Sequence, residues 1–198
     1  LITCASGKQS SALIPHLLPH YPNLRLQCHS STSATSLSQK YPSAEIVQAD
    51  LSSSADCTRI LQDVTATFLV LPPFHPHESN LGITFIDACI TQKSQGGPFT
   101  HLVYSSVIHP ILQKLLNHDV KRYVEEYLIE SLLNYTILQP THMMEMLPLE
   151  KLMEDKEAVY QCNWNPGTNF SFVTTRDIGE AAAKVLMQRE VHYAATYQ

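Results

Sequence analysis

Apolar and β-prone runs recur along the chain with room for one helix between each pair. They occupy residues 1–3, 24–28, 46–48, 67–71, 102–105 and 135–138. Between them, residues 10–18, 33–40, 53–61, 80–92 and 120–131 carry helical spacing. In the last stretch Val124, Leu128 and Leu132 fall on one face, with Glu125, Glu126 and Glu130 elsewhere. Strands separated by helices return in the same direction. The alternation therefore predicts an α/β chain: a doubly wound parallel sheet of five or more strands, the first strand central, with helices on both faces.

Past Pro140 the pattern changes. Residues 158–162 and 170–173 flank the turn-rich Asn163-Trp164-Asn165-Pro166-Gly167, which predicts a hairpin outside the main sheet. Thr175-Arg176-Asp177 then caps a helix over 178–188, and residues 192–197 begin one more strand. The organisation expected is a single domain, with residues 1–140 forming the main sheet unit. Residues 141–198 would form a partial substrate-side region with a return helix.

Composition narrows the class. A length of 198 residues suits one domain with a sizeable core. The net charge of −5, with no basic block, argues against direct nucleic-acid binding. No apolar run reaches the roughly 18 residues of a membrane span, and no signal-peptide pattern is present. The five cysteines (Cys4, Cys28, Cys57, Cys89, Cys162) are scattered and form no C-x-x-C pair, which points to buried reduced thiols and a cytoplasmic setting. His75-x-His77 with Glu78 lacks a third ligand at motif spacing, so no metal is expected there.

The opening stretch carries the first candidate chemistry. Residues 1–3 run into Cys4-Ala5-Ser6-Gly7-Lys8-Gln9-Ser10 and then a helix. That is where a Rossmann-like sheet turns from its first strand into its first helix, and where backbone N–H groups receive a dinucleotide pyrophosphate. In a G-x-x-G-x-x-G register the glycine positions are Cys4, Gly7 and Ser10, so only the middle glycine is present. Cys4 and Ser10 carry Cβ atoms where glycine permits close approach, although the Ser10 hydroxyl can donate to a phosphate. Pro15, inside the expected helix, costs ~3 kcal/mol or a kink. Cofactor binding is therefore weakened, or the fold is kept and the binding lost.

Seven segments together resemble the NmrA-like family of atypical short-chain dehydrogenases, its fungal members above all. They are the turn from Ile2 to Ser10; Gln48-Ala49-Asp50-Leu51; Leu69-Val70-Leu71-Pro72-Pro73; His101-Leu102-Val103-Tyr104-Ser105-Ser106; Lys121-Arg122-Tyr123-Val124-Glu125-Glu126-Tyr127-Leu128; Tyr135-Thr136-Ile137-Leu138-Gln139-Pro140; and Arg176-Asp177-Ile178-Gly179-Glu180-Ala181-Ala182. Members of that family usually continue well past this chain's last residue, so the sequence looks like a truncated member.

The resemblance implies NADP or NAD as cofactor. It places Ser6 to Ser10 at the pyrophosphate, and Asp50 and Leu51 beside the adenine. Leu71, Pro72 and Pro73 would lie along the ribose and nicotinamide half, with Ser105, Lys121 and Pro140 at the same edge. Asp50 reads equally well as a helix N-terminal acid. Where the family often has an arginine for the 2′-phosphate of NADP, this chain has Cys28-His29-Ser30. His29 thus offers part-time charge only, and Arg25 lies inside the strand.

Ordinary short-chain dehydrogenases use Tyr-x-x-x-Lys. Here the residue four before Lys121 is Asn117, so that pair is absent. Lys121 with Val124 instead matches the Lys-x-x-Val position of related atypical reductases, where the lysine would hold the ribose or donate a proton. Tyr104 ends a strand on the ligand side, and His142 with Met143 and Met144 follows the next, where the family lines its nicotinamide or substrate pocket. Lys121, His142 and Tyr104 are the catalytic candidates. Three functions are consistent with this. The first is an NAD(P)H-dependent oxidoreductase acting on a small carbonyl, quinone or similar electrophile. The second is a dinucleotide-binding redox-sensing regulator with a protein partner. The third is a cofactor-independent isomerase, dehydratase or cyclase in the vacated cleft.

Overall fold

The protein is described by a computed structural model covering residues 1–154, 157, 159, 161, 165 and 167–198. The opening segment leads into α1 (Lys8–Leu17), then β1 (Arg25–Cys28), α2 (Ser31–Lys40), β2 (Glu45–Gln48), α3 (Ser54–Ile60) and β3 (Ala66–Leu69). Next come α4 (Glu78–Ser94), β4 (His101–Ser105), α5 (Leu116–Glu130) and β5 (Tyr135–Leu138). The remainder holds β6 (His142–Met143), a 3₁₀ turn (Met144–Met146), α6 (Leu149–Glu154), β7 (Phe172–Val173), α7 (Thr175–Gln188) and β8 (Ala195–Tyr197).

Ile2 bridges β1 through Leu26 on one side and β3 through Phe68 on the other. The spatial order is therefore β2, β1, the opening segment, β3, β4, β5, β8, with every pairing parallel. The expected Rossmann-like doubly wound sheet is present, with the first strand central.

Alternation along the strands feeds two cores. Leu69, Leu102, Tyr104 and Ile137 face α3, α4 and α5, whose Cys57, Ile60, Phe85, Cys89, Val124 and Leu128 cover them. Phe68, Val103 and Leu138 face the other side, where Leu13, Ile14, Leu37, Ala182 and Leu186 come from α1, α2 and α7. Side-chain oxygens start three helices: Ser30 accepts from Ser33 N, Ser53 from Asp56 N and Thr174 from Asp177 N, each meeting an N–H that has no partner within its helix.

Several expectations change in detail. α1 runs through Pro15, which lies on its exposed side. α5 ends at Glu130, so Leu132 falls beyond it, at φ 59° and 86% exposed. Glu125, expected off the apolar face, is buried. Residues 172–173 do not pair with the 158–162 segment. They form a parallel two-residue ladder with His142–Met143 outside the main sheet. The expected strand at 158–162 lies largely outside the described residues, as does Cys162. Cys28, Cys57 and Cys89 are free and buried, and Cys4 is free and partly buried. Burial pushes the thiols up, Cys57 to about 12, which makes them poor nucleophiles.

α1 and α7 touch most closely at Gly179. A Cβ built there would lie 2.7 Å from the carbonyl carbon and oxygen of Ala12, which is backbone that cannot rotate away. Gly179→Ala should force the helices apart and lower stability by about 1–3 kcal/mol, despite the better helix propensity of alanine. Urea unfolding of the variant checks this, and an unchanged midpoint would show that α7 moves freely.

His101 sits at the opposite edge from the candidate site. It is fully buried, with Nε2 2.9 Å from Thr136 Oγ1 and its ring 5.0 Å from that of Tyr193. Burial, with Arg189 and His192 nearby, lowers its pKa from 6.5 to about 4. The folded chain keeps the ring neutral while the unfolded chain protonates it below its ordinary value. Stability should therefore be level above pH 6.5 and fall as pH drops from 6.5 towards about 4. The loss should be of the order of 3 kcal/mol from this residue. Urea midpoints across that window should fall less steeply in His101→Gln; an equal slope would remove His101 as the cause.

Candidate functional site

The carboxyl ends of the central strands meet at the first turn. Thr3 ties the opening segment to the end of β3: its Oγ1 donates to Val70 O and accepts from Val70 N, both at 2.8 Å. Gln27, buried on β1, accepts from Cys4 N and donates to Ala49 O, each at 2.8 Å. One side chain thus fixes the first turn and the loop after β2. Sequence reasoning missed it because a glutamine inside a strand has no distinguishing pattern.

Cys4, at the first glycine position, takes φ 45°, a left-handed conformation that glycine adopts without penalty. A Cβ at Gly7 would be a tight fit, 3.1 Å from Cys4 O. Ser10 is fully buried and its hydroxyl donates to Thr3 O at 2.8 Å. That corrects the expectation of a phosphate contact through this hydroxyl and leaves the Ser10 backbone N–H. Gly7 is the N-cap of α1. No side chain caps the helix and its first turn holds no acid. Ser6, Gly7 and Lys8 are exposed.

The next loops supply little free chemistry. His29 is exposed, and its carbonyl accepts from Gln48 Nε2. The Asp50 carboxylate accepts from Ser52 N and Oγ at 2.8 Å, which holds it below the usual carboxylate range. It braces its own turn, while Ser53 caps α3. Leu51 and Leu71 belong to the core; Pro72 is partly exposed and Pro73 exposed. Arg25 points away as expected, onto Glu45 and the carbonyls of Ile60 and Gln62. His75 and His77 are exposed, but Glu78 turns inward.

The far side holds the charged cluster. Lys121, in α5, places its ammonium 2.6 Å from Glu78 Oε1, with side-chain exposures of 12% and 1%. The ammonium lies 6.0 Å over the Tyr104 ring. Both charges act on Cys4, whose thiol burial raises to about 11 with Lys121 opposing, so the pair borders the first turn. Glu125, one turn along α5, accepts from Gln139 Nε2 at 3.0 Å on both oxygens. Burial raises its pKa, against the hydrogen bonds from Gln139 and the charge of Lys121.

Tyr104 is fully buried and its hydroxyl has no partner among the described residues. Its side chain lies in the core between β4 and the helices α3, α4 and α5. Ser105 Oγ donates to Gln9 Oε1 at 2.5 Å and joins β4 to the first turn. Pro140 and His142 are partly exposed at the same edge, and His142 packs edge-on against Phe172 at 5.5 Å. Glu78 went unrecognised in the sequence because its partner lies 43 residues away. Its only local signal was a place beside two histidines.

One connection crosses the mouth. Lys8 Nζ donates to Glu145 O at 2.9 Å, while the Glu145 carboxylate accepts from Thr175 N and Oγ1 at the start of α7. Glu145 thus links the first turn to the return helix.

The NmrA-like family matches residues 1–196. The chain belongs to that family. No curated protein sequence matches it. Among solved structures it is similar to the Citrobacter sp. triphenylmethane reductase complexed with NADP(H), at 18% identity and a TM-score of 0.84. It is also similar to the Escherichia coli NADPH-dependent quinone oxidoreductase complexed with NADPH, at 22% and 0.78. In both cases the match covers 99% of this chain and 67% of the other. A Rossmann-fold NAD(P)-binding family protein from Shigella flexneri matches at 16% identity and a TM-score of 0.71, over 97% of this chain and 87% of its own. These likenesses establish the fold.

Within this family member, Lys121 is the counter-charge of a buried carboxylate. Lys121→Met should therefore cost about 3–5 kcal/mol of stability on its own. The double variant Lys121→Met/Glu78→Leu removes both charges and should regain most of that loss. Urea unfolding of the two single variants and the double measures the coupling. A strictly additive result would show that the two charges do not interact.

Proposed function

We propose that this NmrA-like chain is an NAD(P)H-dependent oxidoreductase acting on a small carbonyl, quinone or similar electrophile. The observation that carries the reading is the start of α1. It is an exposed helix N-terminus at the end of the central strand, uncapped by any side chain, free of acids, and preceded by Gly7, where a Cβ would lie 3.1 Å from Cys4 O. The unpaired N–H groups and the helix dipole there favour an anion, and a dinucleotide pyrophosphate suits the sheet's crossover point. The complexes of the triphenylmethane reductase and the quinone oxidoreductase with their NADP cofactors support the same reading.

In this reading the backbone from Ser6 to Ser10 holds the pyrophosphate, helped by Gln9, which Ser105 fixes in place. The adenine end lies towards His29 and Asp50, and either NADP or NAD fits the residues there. Leu71, Pro72 and Pro73 form one wall of the nicotinamide half, with Lys121 and Pro140 opposite. His142 and Phe172 offer an apolar, aromatic surface to the electrophile. The reduced nicotinamide, when bound, supplies hydride. No helix of the described residues is long and apolar enough to cross a membrane.

A second reading, a dinucleotide-sensing regulator, draws on the burial of Tyr104 and the absent Tyr-x-x-x-Lys pair. Titration with NADPH and NADH, followed by ligand fluorescence, tests what the two share, and NADPH oxidation with quinones and aromatic aldehydes separates them. Saturable binding with turnover supports the oxidoreductase; binding without turnover supports the regulator. Absence of binding refutes both. Cys4→Gly should tighten NADPH binding by about three- to tenfold, because it removes a Cβ from the turn that the pyrophosphate approaches. Unchanged affinity would exclude Cys4 as an obstacle.

A further inference from the structure

Two short strands carry the surface that the oxidoreductase reading gives to the electrophile, and they cannot hold themselves. β6 and β7 pair over two residues only, His142 with Phe172 and Met143 with Val173. None of the four is buried, so no apolar core fixes them. Yet the His142 ring stands 5.5 Å from that of Phe172. At the entry to the ladder Thr141 Oγ1 donates to Ser171 O at 2.7 Å, a bond between neutral groups.

The exit is closed by a charge. Glu145 follows β6 and Thr175 follows β7. The two carboxylate oxygens of Glu145 accept from Thr175 N at 2.9 and 3.0 Å, and one of them also accepts from Thr175 Oγ1 at 2.9 Å. Hydrogen bonds to an ionised group are the strong ones, and this anion meets the first residue of α7, where the helix dipole favours it. The main chain of the same residue faces the other way. Glu145 O accepts from Lys8 Nζ at 2.9 Å, and Met146 Sδ lies 3.6 Å from that ammonium. One residue therefore joins β6 to β7 through its side chain and joins both to the first turn through its carbonyl.

We infer that Glu145 is a positioning residue for the electrophile: it holds His142 against Phe172, and holds that surface beside the turn that receives the cofactor. The inference rests on the oxidoreductase reading for what the surface binds, but not for the clamp itself. Replacing the carboxylate leaves the carbonyl that Lys8 uses and takes a negative charge from the mouth. Cofactor affinity should then not fall, while the electrophile meets a surface that is loosely held. A general loss of structure would lower cofactor affinity and turnover together.

The test compares Glu145→Gln, Thr175→Val and Thr175→Ser with the wild type. NADPH affinity is read by ligand fluorescence, and turnover with menadione, an uncharged aromatic quinone. In Glu145→Gln the KM for menadione should rise about three- to tenfold with kcat within about twofold and no loss of NADPH affinity. Thr175→Val keeps the N–H but loses the hydroxyl, and should raise KM by a smaller factor; Thr175→Ser keeps both and should match the wild type. An unchanged KM in Glu145→Gln overturns the inference. So does a rise matched by an equal loss of NADPH affinity, or a Thr175→Ser variant that behaves as Thr175→Val.

Hydrogen–deuterium exchange decides the clamp without turnover. Peptides over residues 142–147 and 171–176 should exchange at least about threefold faster in Glu145→Gln, with the peptide over β3 unchanged. Equal exchange in the two proteins overturns the inference. A wild type that binds NADPH without reducing any quinone or aldehyde, or that binds no dinucleotide, refutes the oxidoreductase reading by that result, and exchange still decides whether Glu145 holds the surface.

Discussion

The structure depends on the opening segment being paired on both sides. Ile2 exchanges hydrogen bonds with β1 through Arg25 O and Gln27 N, while Leu1 O and Thr3 N meet Phe68 of β3. Without those bonds the β1–β2 pair would be separate from the four strands that run from β3 to β8. A strand in that position is covered by helices on both faces, so its residues are fully buried and their backbone groups must all find partners. The chain can leave such a strand only at its end. The turn at Cys4 is therefore pressed against β1 and β3 before α1 begins. That constraint explains the side chains that serve the turn. Thr3, Gln27 and Ser10 are buried polar residues, and each hydrogen-bonds backbone of the first turn, the opening segment or the loops beside it.

Against that rigid edge, the charged cluster on the other side of the cleft is costly. Glu78, Lys121 and Glu125 place two carboxylates and one ammonium in or near the core, and a buried pair of this kind contributes little net stability compared with apolar residues of the same volume. The packing around it is otherwise ordinary: Val124 and Leu128 lie on the same helix and are fully buried. A stripe of leucines would have filled α5 equally well. The cluster borders the first turn, where its field acts on Cys4, and this is where a charge has a use beyond stability.

Most of the architecture was legible in the sequence because the β and helical periods alternate so regularly. The strand at 135–138 was placed at the bounds it adopts, and the helices of the main unit differ mainly at their ends, where capping by Ser30 and Ser53 decides the first residue of two of them; the return helix starts at Thr175 and not at 178, because Thr174 is its cap. Glu125 was misread because charge was taken to mean exposure. Burial became affordable only through Gln139, fourteen residues on and on a different element. Leu132 was misread because the helical spacing continues past the residue at which the helix stops. Lys121 could be singled out from its spacing to Val124, yet its partner could not, since the Glu78 pairing exists only once α4 and α5 lie side by side. The same holds for Ser10: its residue type suggested a free donor, and the fold turned its hydroxyl onto Thr3.

The segment after β5 shows how a small region can be tied to the sheet without joining it. Residues 142–143 and 172–173 make only a two-residue ladder, too short to be stable alone. Its anchors are elsewhere. Thr141 donates to Ser171 O, and Glu145 accepts from the first residue of α7 while its own carbonyl receives Lys8. α7 in turn packs on α1 at Gly179, so the two helix N-termini that flank the first turn are held by one another and by one glutamate. Removing negative charge at residue 145 would loosen α7 at the point where the helix dipole most needs an anion, and would free the Lys8 side of the mouth at the same time. The geometry of the first turn is thus set from both directions: by the strands beneath it, through Gln27 and Thr3, and by the return helix beside it, through Glu145.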